Sequence, residues 1–146
     1  AAVTSNATEL VAAIVNQKDN LVEGIQYAQE IIDGSMTLLI MTPKGIYAAR
    51  DKMGRTPVAV GKKEGAYCVS FESFAYLNLD TSRERAGTGR DRRGDTGRCT
   101  NLVKPGKDMK ICTFLWVYYG YPSSSYEGIS VEKMRYQCGA KLAERE

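Results

Sequence analysis

The sequence predicts an α+β domain, on three observations. Apolar residues recur at helical spacing near both ends of the chain. Between Gly34 and Ser73, three short apolar runs (36–41, 46–49 and 67–71) alternate with turn chemistry, as strands do. A length of 146 residues, 43% apolar and 25% charged, suits one soluble domain with its own core.

Residues 8–16 (TELVAAIVN) put Leu10, Val11, Ile14 and Val15 on one helical stripe. Ser5 or Asn6 stands where an N-cap belongs, and Glu9 falls in the first turn, where the helix dipole favours negative charge. Residues 21–32 form a second helix, with Leu21, Ile25, Ala28 and Ile32 on one stripe. Asn20 caps it, Glu23 follows at capping-box spacing, and Gly34 stops it. Both stripes need a sheet to bury against, which places the two helices on one side of it.

The three apolar runs are separated by Thr42-Pro43-Lys44-Gly45, by Gly54-Arg55-Thr56-Pro57 and by Lys62-Lys63-Glu64-Gly65. That spacing predicts an antiparallel meander. Residues 74–79 read as a short helix or turn capped by Ser73. Residues 80–100 contain no Val, Ile, Leu, Phe, Tyr, Trp or Met, so nothing there offsets the cost of ordering the backbone. An exposed, irregular or weakly paired segment is expected over 81–98. Lys104-Pro105-Gly106-Lys107 is a turn. Residues 109–119, rich in Ile, Phe, Trp, Val and Tyr, carry the strongest strand signal in the chain. A loop follows over 120–128. The final helix runs over 130–145, with Val131, Met134, Cys138 and Leu142 at helical spacing. Segments 36–41, 67–71 and 111–119 should be the most buried, with Tyr27, Leu38, Val69 and Trp116 in the core or at an interface with a missing part of the domain.

Net charge is +3, too small to imply a nucleic-acid partner, and segment 83–98 carries that whole excess with six arginines against Glu84, Asp91 and Asp95. No signal peptide opens the chain and no apolar run reaches the roughly 18 residues of a membrane span, so cytoplasm is the default location. The four cysteines are far apart with no C-x-x-C spacing, which argues against a zinc site or a disulfide framework built from them alone. Histidine is absent, which removes Ser-His and Cys-His catalytic pairs.

The octet Arg50-Asp51-Lys52-Met53-Gly54-Arg55-Thr56-Pro57, followed by Ser70-Phe71-Glu72-Ser73, resembles the glutaminase domain of class II (N-terminal-nucleophile) glutamine amidotransferases. The stretch from Cys112 to Pro122 resembles a Cys-x-Phe-Glu-x-x-Tyr-Phe-x-x-Pro strand of the amidophosphoribosyltransferases, with Leu115 in place of the usual Glu. Ser124-Ser125-Tyr126-Glu127-Gly128-Ile129-Ser130-Val131, Arg135 and Gly139 extend that match. The resemblance implies a partial αββα sandwich. Residues 1–110 would be the C-terminal half of a glutaminase domain, with 81–99 its irregular Arg/Gly-rich part. Residues 111–146 would be the last strand and a connecting helix toward a phosphoribosyltransferase domain. The family moves the amide nitrogen of glutamine to phosphoribosyl pyrophosphate, giving 5-phosphoribosylamine. Its members use Mg²⁺, in some cases a 4Fe–4S cluster, and are homo-oligomers.

The family nucleophile is an N-terminal cysteine, whereas residue 1 here is Ala1, and no Asn-Gly oxyanion element occurs. No catalytic residue is therefore expected in this chain, which reads as an inactive fragment. Thr4-Ser5-Asn6-Ala7-Thr8-Glu9 resembles a family Ser-Asp-Thr-Glu whose Asp receives the α-amino group of glutamine. Asn6 is thus a substrate-binding candidate, or simply an N-cap. Arg50, Asp51, Gly54, Pro57, Glu72 and Ser73 are either site elements or the pins of a turn. Cys112 stands where some relatives have one of four iron–sulfur ligands, or it is a small buried apolar residue. Two rival readings are the glutaminase part of an asparagine synthetase and a non-enzymatic Arg/Gly-rich RNA-binding module. Where this chain reads 85–96, the family has Glu-Leu-x-Pro-Gly-Glu-Ile-Val. Suitable codons for these residues, read one base later, give Glu-Leu-Gly-Pro-Gly-Glu-Ile-Val-Glu-Val-Thr-Pro, so a local frameshift is expected.

Overall fold

The first two helices begin where their asparagines predict. Helix α1 (Ala7–Val15) opens with the Asn6 side chain accepting the Glu9 N–H at 2.9 Å, and α2 (Leu21–Ile31) with Asn20 accepting the Glu23 N–H at 2.9 Å. Each bond satisfies one of the donors that a helix start leaves unpaired. The helices meet at Gly24, where a Cβ would lie 2.2 Å from the Val15 carbonyl oxygen, so no larger residue fits that approach. Helix α2 ends at Ile31, with Ile32 already extended, two residues before Gly34. The computed structural model describes residues 6–79, 82–84, 91–95, 98–103 and 108–145; the turn expected at 104–107 lies outside them.

Strands β1 (Thr37–Thr42) and β2 (Gly45–Arg50) form an antiparallel hairpin with Leu38 opposite Ala49 and Ile40 opposite Tyr47. Alternation puts these four residues on one face. They pack with Ile14, Val15, Ile25, Ala28 and Met36 in one apolar cluster, with Tyr27 and Ile32 at its edge. Burying a side chain such as Ile25, 2% exposed, contributes about 1.5–3 kcal/mol. This cluster fixes the helical layer on the hairpin, the arrangement the two stripes require.

After Arg50 the chain leaves this sheet, and here the meander expectation fails. A strand unmarked in the apolar pattern, β3 (Ala59–Lys63), pairs with β4 (Ala66–Ser70), and β5 (Ser82–Glu84) pairs on the other edge of β3. The order of this second sheet is β4-β3-β5, and β2 pairs with neither β3 nor β4. Strand β3 escapes an apolar search because its sequence is Ala-Val-Gly-Lys-Lys. Only Ala59 and Val60 are apolar side chains, and a Cβ on Gly61 would meet Cys68 Sγ at 2.7 Å. Val69 and Leu38 are only half-buried, and Leu39, Met41 and Phe71 are exposed, so segments 36–41 and 67–71 are not the most buried ones expected; burial falls instead on residues 48–51 and on Ala59 and Val60.

The first sheet is completed by β6 (Asp91–Asp95) and β7 (Arg98–Val103), in the order β1-β2-β6-β7. The described backbone of 81–98 lies in strands, where an exposed, irregular or weakly paired segment is expected; residues 81, 85–90 and 96–97 lie outside the described residues. Backbone pairing with β2 and β7, which side-chain composition does not report, places β6 inside the sheet.

The strongest strand signal is also not a strand. Over 108–112 the chain runs beside the turn after β2, with the Lys110 N–H donating to Met53 O at 2.8 Å and the Cys112 N–H to Arg55 O at 2.9 Å. It then coils into a single π-helical turn, Leu115–Tyr119, closed by the Gly120 N–H donating to Leu115 O at 2.7 Å. Leu115 and Trp116 are buried, but Val117, Tyr118 and Tyr119 are exposed, contrary to the expected burial of the whole run. The loop after it contains a short hairpin, β8 (Ser125–Tyr126) with β9 (Ile129–Ser130). Helix α4 (Val131–Ala143) follows, capped by Ser130 Oγ accepting the Lys133 N–H. Arg135 of α4 holds the π turn, donating from Nε to Trp116 O at 2.8 Å and from Nη2 to Gly120 O at 2.8 Å and Tyr118 O at 3.1 Å. The Trp116 indole N–H donates to Ile129 O at 3.0 Å. These tertiary bonds satisfy the turn's carbonyls and override its β propensity.

Candidate functional site

The motif residues converge on one polar cluster between the turn after β2, the end of β4 and the β8–β9 hairpin. Arg50 ends β2 and Asp51 follows it, and they are 6% and 4% exposed. Asp51 Oδ1 accepts the N–H groups of Met53 at 2.9 Å and Arg55 at 3.3 Å, and Oδ2 accepts the Met36 N–H at 3.2 Å. A buried carboxylate is tolerable because those donors surround it. The Arg50 guanidinium donates from Nε to Thr56 O at 2.7 Å, from Nη2 to Gly54 O, and from Nη1 to Glu127 Oε1 at 3.0 Å. Gln29 donates to Arg50 O at 2.7 Å, tying the turn to α2. Gly54 has φ +60, and a Cβ there would lie 3.1 Å from the guanidinium, so both conformation and space call for glycine. Pro57 is buried at the return. Thr37 and Thr56 hydroxyls are hydrogen-bonded to each other across the base.

Glu72 and Ser73 are the second arm. Glu72 accepts the Tyr126 hydroxyl at 2.8 Å on Oε1 and 2.7 Å on Oε2, and the Ser124 hydroxyl at 2.7 Å on Oε2. Ser73 Oγ accepts the Ser125 N–H at 2.8 Å. It does not cap helix α3 (Ala75–Asn78), whose N-cap is Phe74 with no side-chain bond; the hydroxyl is directed to the hairpin instead. The short helix is fixed by Tyr76, whose hydroxyl donates to Ala59 O. Burial, and after it the hydrogen bond and charge of Glu72, push the Tyr126 phenol well above the ordinary tyrosine range. It stays a protonated donor, packed edge-on against Trp116 with ring centroids 5.7 Å apart.

Chemically this cluster is a clamp. The donors of Arg50 and the oxygens of Asp51 serve backbone and Glu127, which leaves neither poised for acid–base work. Two arms, Arg50–Glu127 and Glu72–Ser124–Tyr126, fasten the C-terminal segment to the two hairpins. Arg50 and Asp51 hydrogen-bond the backbone of the turn that contains Gly54 and Pro57. The sequence marks every one of these stretches, but not that they touch: Glu72 and Tyr126 are 54 positions apart.

A groove of about 450 Å³ lies beside this clamp's strands, lined by Ala7, Thr8 and Val11 of α1, by residues 35–39 and by Phe71. Asn6 caps the helix that forms its wall. Cys112 is half-buried against the Leu115, Trp116, Tyr126 and Val131 cluster. Among the described residues no group of three or more His, Cys, Asp or Glu could hold a metal ion, so Cys112 offers one thiol toward a cluster needing four. No helix among the described residues is long and apolar enough to cross a membrane.

The fold is the α+β layering of the N-terminal-nucleophile type, partial here. The whole chain superposes on the glutamine phosphoribosylpyrophosphate amidotransferase of Bacillus subtilis, solved with ADP and GMP, with a TM-score of 0.88 at 24% identity, over 33% of that chain. A second solved structure, described as the allosteric regulatory enzyme of purine biosynthesis, gives the same TM-score of 0.88. In sequence the chain is similar to the amidophosphoribosyltransferases. It is 26% identical to that of Archaeoglobus fulgidus, with 96% of this chain aligned, and 28% identical to that of a Synechocystis species, with 97% aligned. The chain spans about a third of the length of these relatives, 32% and 30%. No family model matches it.

Proposed function

We propose that this chain is a structural and substrate-binding portion of an amidophosphoribosyltransferase, the enzyme that moves the amide nitrogen of glutamine to phosphoribosyl pyrophosphate. The observation that carries the reading is similarity to such enzymes along 96% of the chain, together with a matching fold. Glutamine would lie in the groove at the start of α1, with the scissile amide toward a nucleophile supplied by residues other than these. The motif resemblance implies, at this helix start, an Asp that receives the substrate's α-amino group. Asn6 brings an acceptor oxygen but no charge, so binding would rest on hydrogen bonds alone. The clamp would keep the 35–39 wall in place, since Asp51 holds the Met36 N–H. Mg²⁺ would accompany phosphoribosyl pyrophosphate on residues beyond those described, and the complete enzyme would be a cytoplasmic homo-oligomer.

The test is amide transfer by the full-length product of the gene that encodes this segment. Glutamine and phosphoribosyl pyrophosphate should be converted to glutamate and pyrophosphate in equal amounts. Glutamate release without pyrophosphate would point to another class II amidotransferase. Neither product from folded protein would overturn the reading.

A further inference from the structure

Among the described residues, Glu127 is the one non-glycine residue in the left-handed region, with φ +48. It sits with Gly128, φ +86, in the two-residue loop that joins Tyr126 to its strand partner Ile129. Two positive φ values in such a loop favour Asn-Gly or Gly-Gly, and a long side chain at the first of them is strained. Strain of this kind persists only where the surroundings hold it, and it gathers at positions under functional constraint. What holds it here is an ion pair. Glu127 Oε1 accepts from Arg50 Nη1 at 3.0 Å, with the two side chains 21% and 7% exposed. Asn or Asp would sit in the loop with less strain, but each is one methylene shorter.

The other donors of Arg50 grip the turn after β2, Nε on Thr56 O at 2.7 Å and Nη2 on Gly54 O. That turn reaches the wall of the groove at two points. The Thr56 hydroxyl is hydrogen-bonded to the Thr37 hydroxyl, and Asp51 Oδ2 accepts the Met36 N–H at 3.2 Å. Met36 and Thr37 both line the groove at the start of α1, whereas Glu127 does not. Without the carboxylate, a buried guanidinium loses its counter-charge and must shift toward solvent, and the Gly54 and Thr56 carbonyls follow it. We infer that Glu127, 77 positions along the chain from Arg50, is a positioning residue for this groove: through Arg50 and the turn it sets where Met36 and Thr37 stand. The inference rests on the reading of the groove as the place where glutamine lies. On that reading the strained loop is retained because only a long carboxylate side chain at this corner steadies the wall against which the substrate is held.

The test uses the full-length enzyme with Glu127→Gly, which removes the carboxylate and suits the backbone of the loop, and with Glu127→Gln, which keeps the reach and an acceptor oxygen without the charge. Both are assayed at a temperature where near-ultraviolet circular dichroism shows them folded. Glu127→Gly should raise the KM for glutamine about 3–10-fold, change kcat less, and leave the KM for phosphoribosyl pyrophosphate as it is. Glu127→Gln should fall between it and the parent. Hydrogen exchange gives a second readout that needs no activity. The Met36 amide should exchange faster in Glu127→Gly, while the amides of Ile25 and Ala28 in α2 keep the parent's rate. A glutamine KM equal to the parent's in both variants, or an unchanged Met36 amide, would overturn the inference. So would faster exchange at Met36 and in α2 alike, the mark of a general loss of stability. If the unsubstituted enzyme transfers no amide, the glutamine reading falls, and exchange at Met36 then decides by itself whether Glu127 positions the groove wall.

Discussion

Tyr126→Phe probes the clamp with the least disturbance. The ring keeps its edge-on contact with Trp116, and only the hydroxyl that donates to Glu72 at 2.7 and 2.8 Å is lost. A hydrogen bond to a charged acceptor contributes about 1.5–3 kcal/mol when buried. Glu72 is half-buried and keeps the Ser124 hydroxyl, so the expected cost is about 1–2 kcal/mol. Glu72→Gln should cost about 1 kcal/mol, because an amide oxygen still accepts but without charge. The double variant should show a coupling of about 1 kcal/mol, as expected for two groups in contact. Urea unfolding followed by the single tryptophan, Trp116, reads all of these. The pH dependence supplies an independent check. The folded-state pKa of Tyr126 is raised above its ordinary value near 10, so its stabilisation is fully present below about pH 10 and is lost as pH rises beyond that. Tyr126→Phe should therefore lose less stability between pH 9.5 and 11 than the parent, on the order of tenths of a kcal/mol per pH unit. Strictly additive single variants, or identical alkaline losses, would refute the reasoning.

Other parts of the structure yield equally direct expectations. Arg135→Ala strands the carbonyls of Trp116, Tyr118 and Gly120, and should cost about 2 kcal/mol and change Trp116 emission; Arg135→Lys should recover only part, lacking the planar fork. Gly54→Ala forces a Cβ into φ +60 beside the Arg50 guanidinium and should lower stability by at least about 1–2 kcal/mol in thermal unfolding. Asn6→Ala should cost about 1 kcal/mol through loss of the cap on α1. Asn6→Asp should keep the cap, gain about 0.3–1 kcal/mol from the helix dipole and, in the full-length enzyme, lower the KM for glutamine with little change in kcat; an unchanged KM would remove this helix start from the glutamine site.

Features that depend on neighbours within a few residues were legible in the sequence. Asn6 and Asn20 cap helices because their side chains reach the N–H three residues on, and no distant contact is needed. The same holds for the stripe Ile14–Val15 and Ile25–Ala28, and for the turn at Gly54 and Pro57. The motif resemblance also identified every stretch of the clamp. Tertiary structure alone decided four things. Residues 109–119 have strand composition, yet Arg135 and Ile129 supply partners that make a π turn the better-bonded state. Ser73 turns from the helix it precedes to the Ser125 N–H, because the hairpin arrives there. Strand β3 lacks an apolar run but acquires its identity from β4 and β5 on either side. Glu72, Arg50, Tyr126 and Glu127 become one site only when the chain brings together groups 54 and 77 positions apart, a proximity set by packing that local spacing cannot encode.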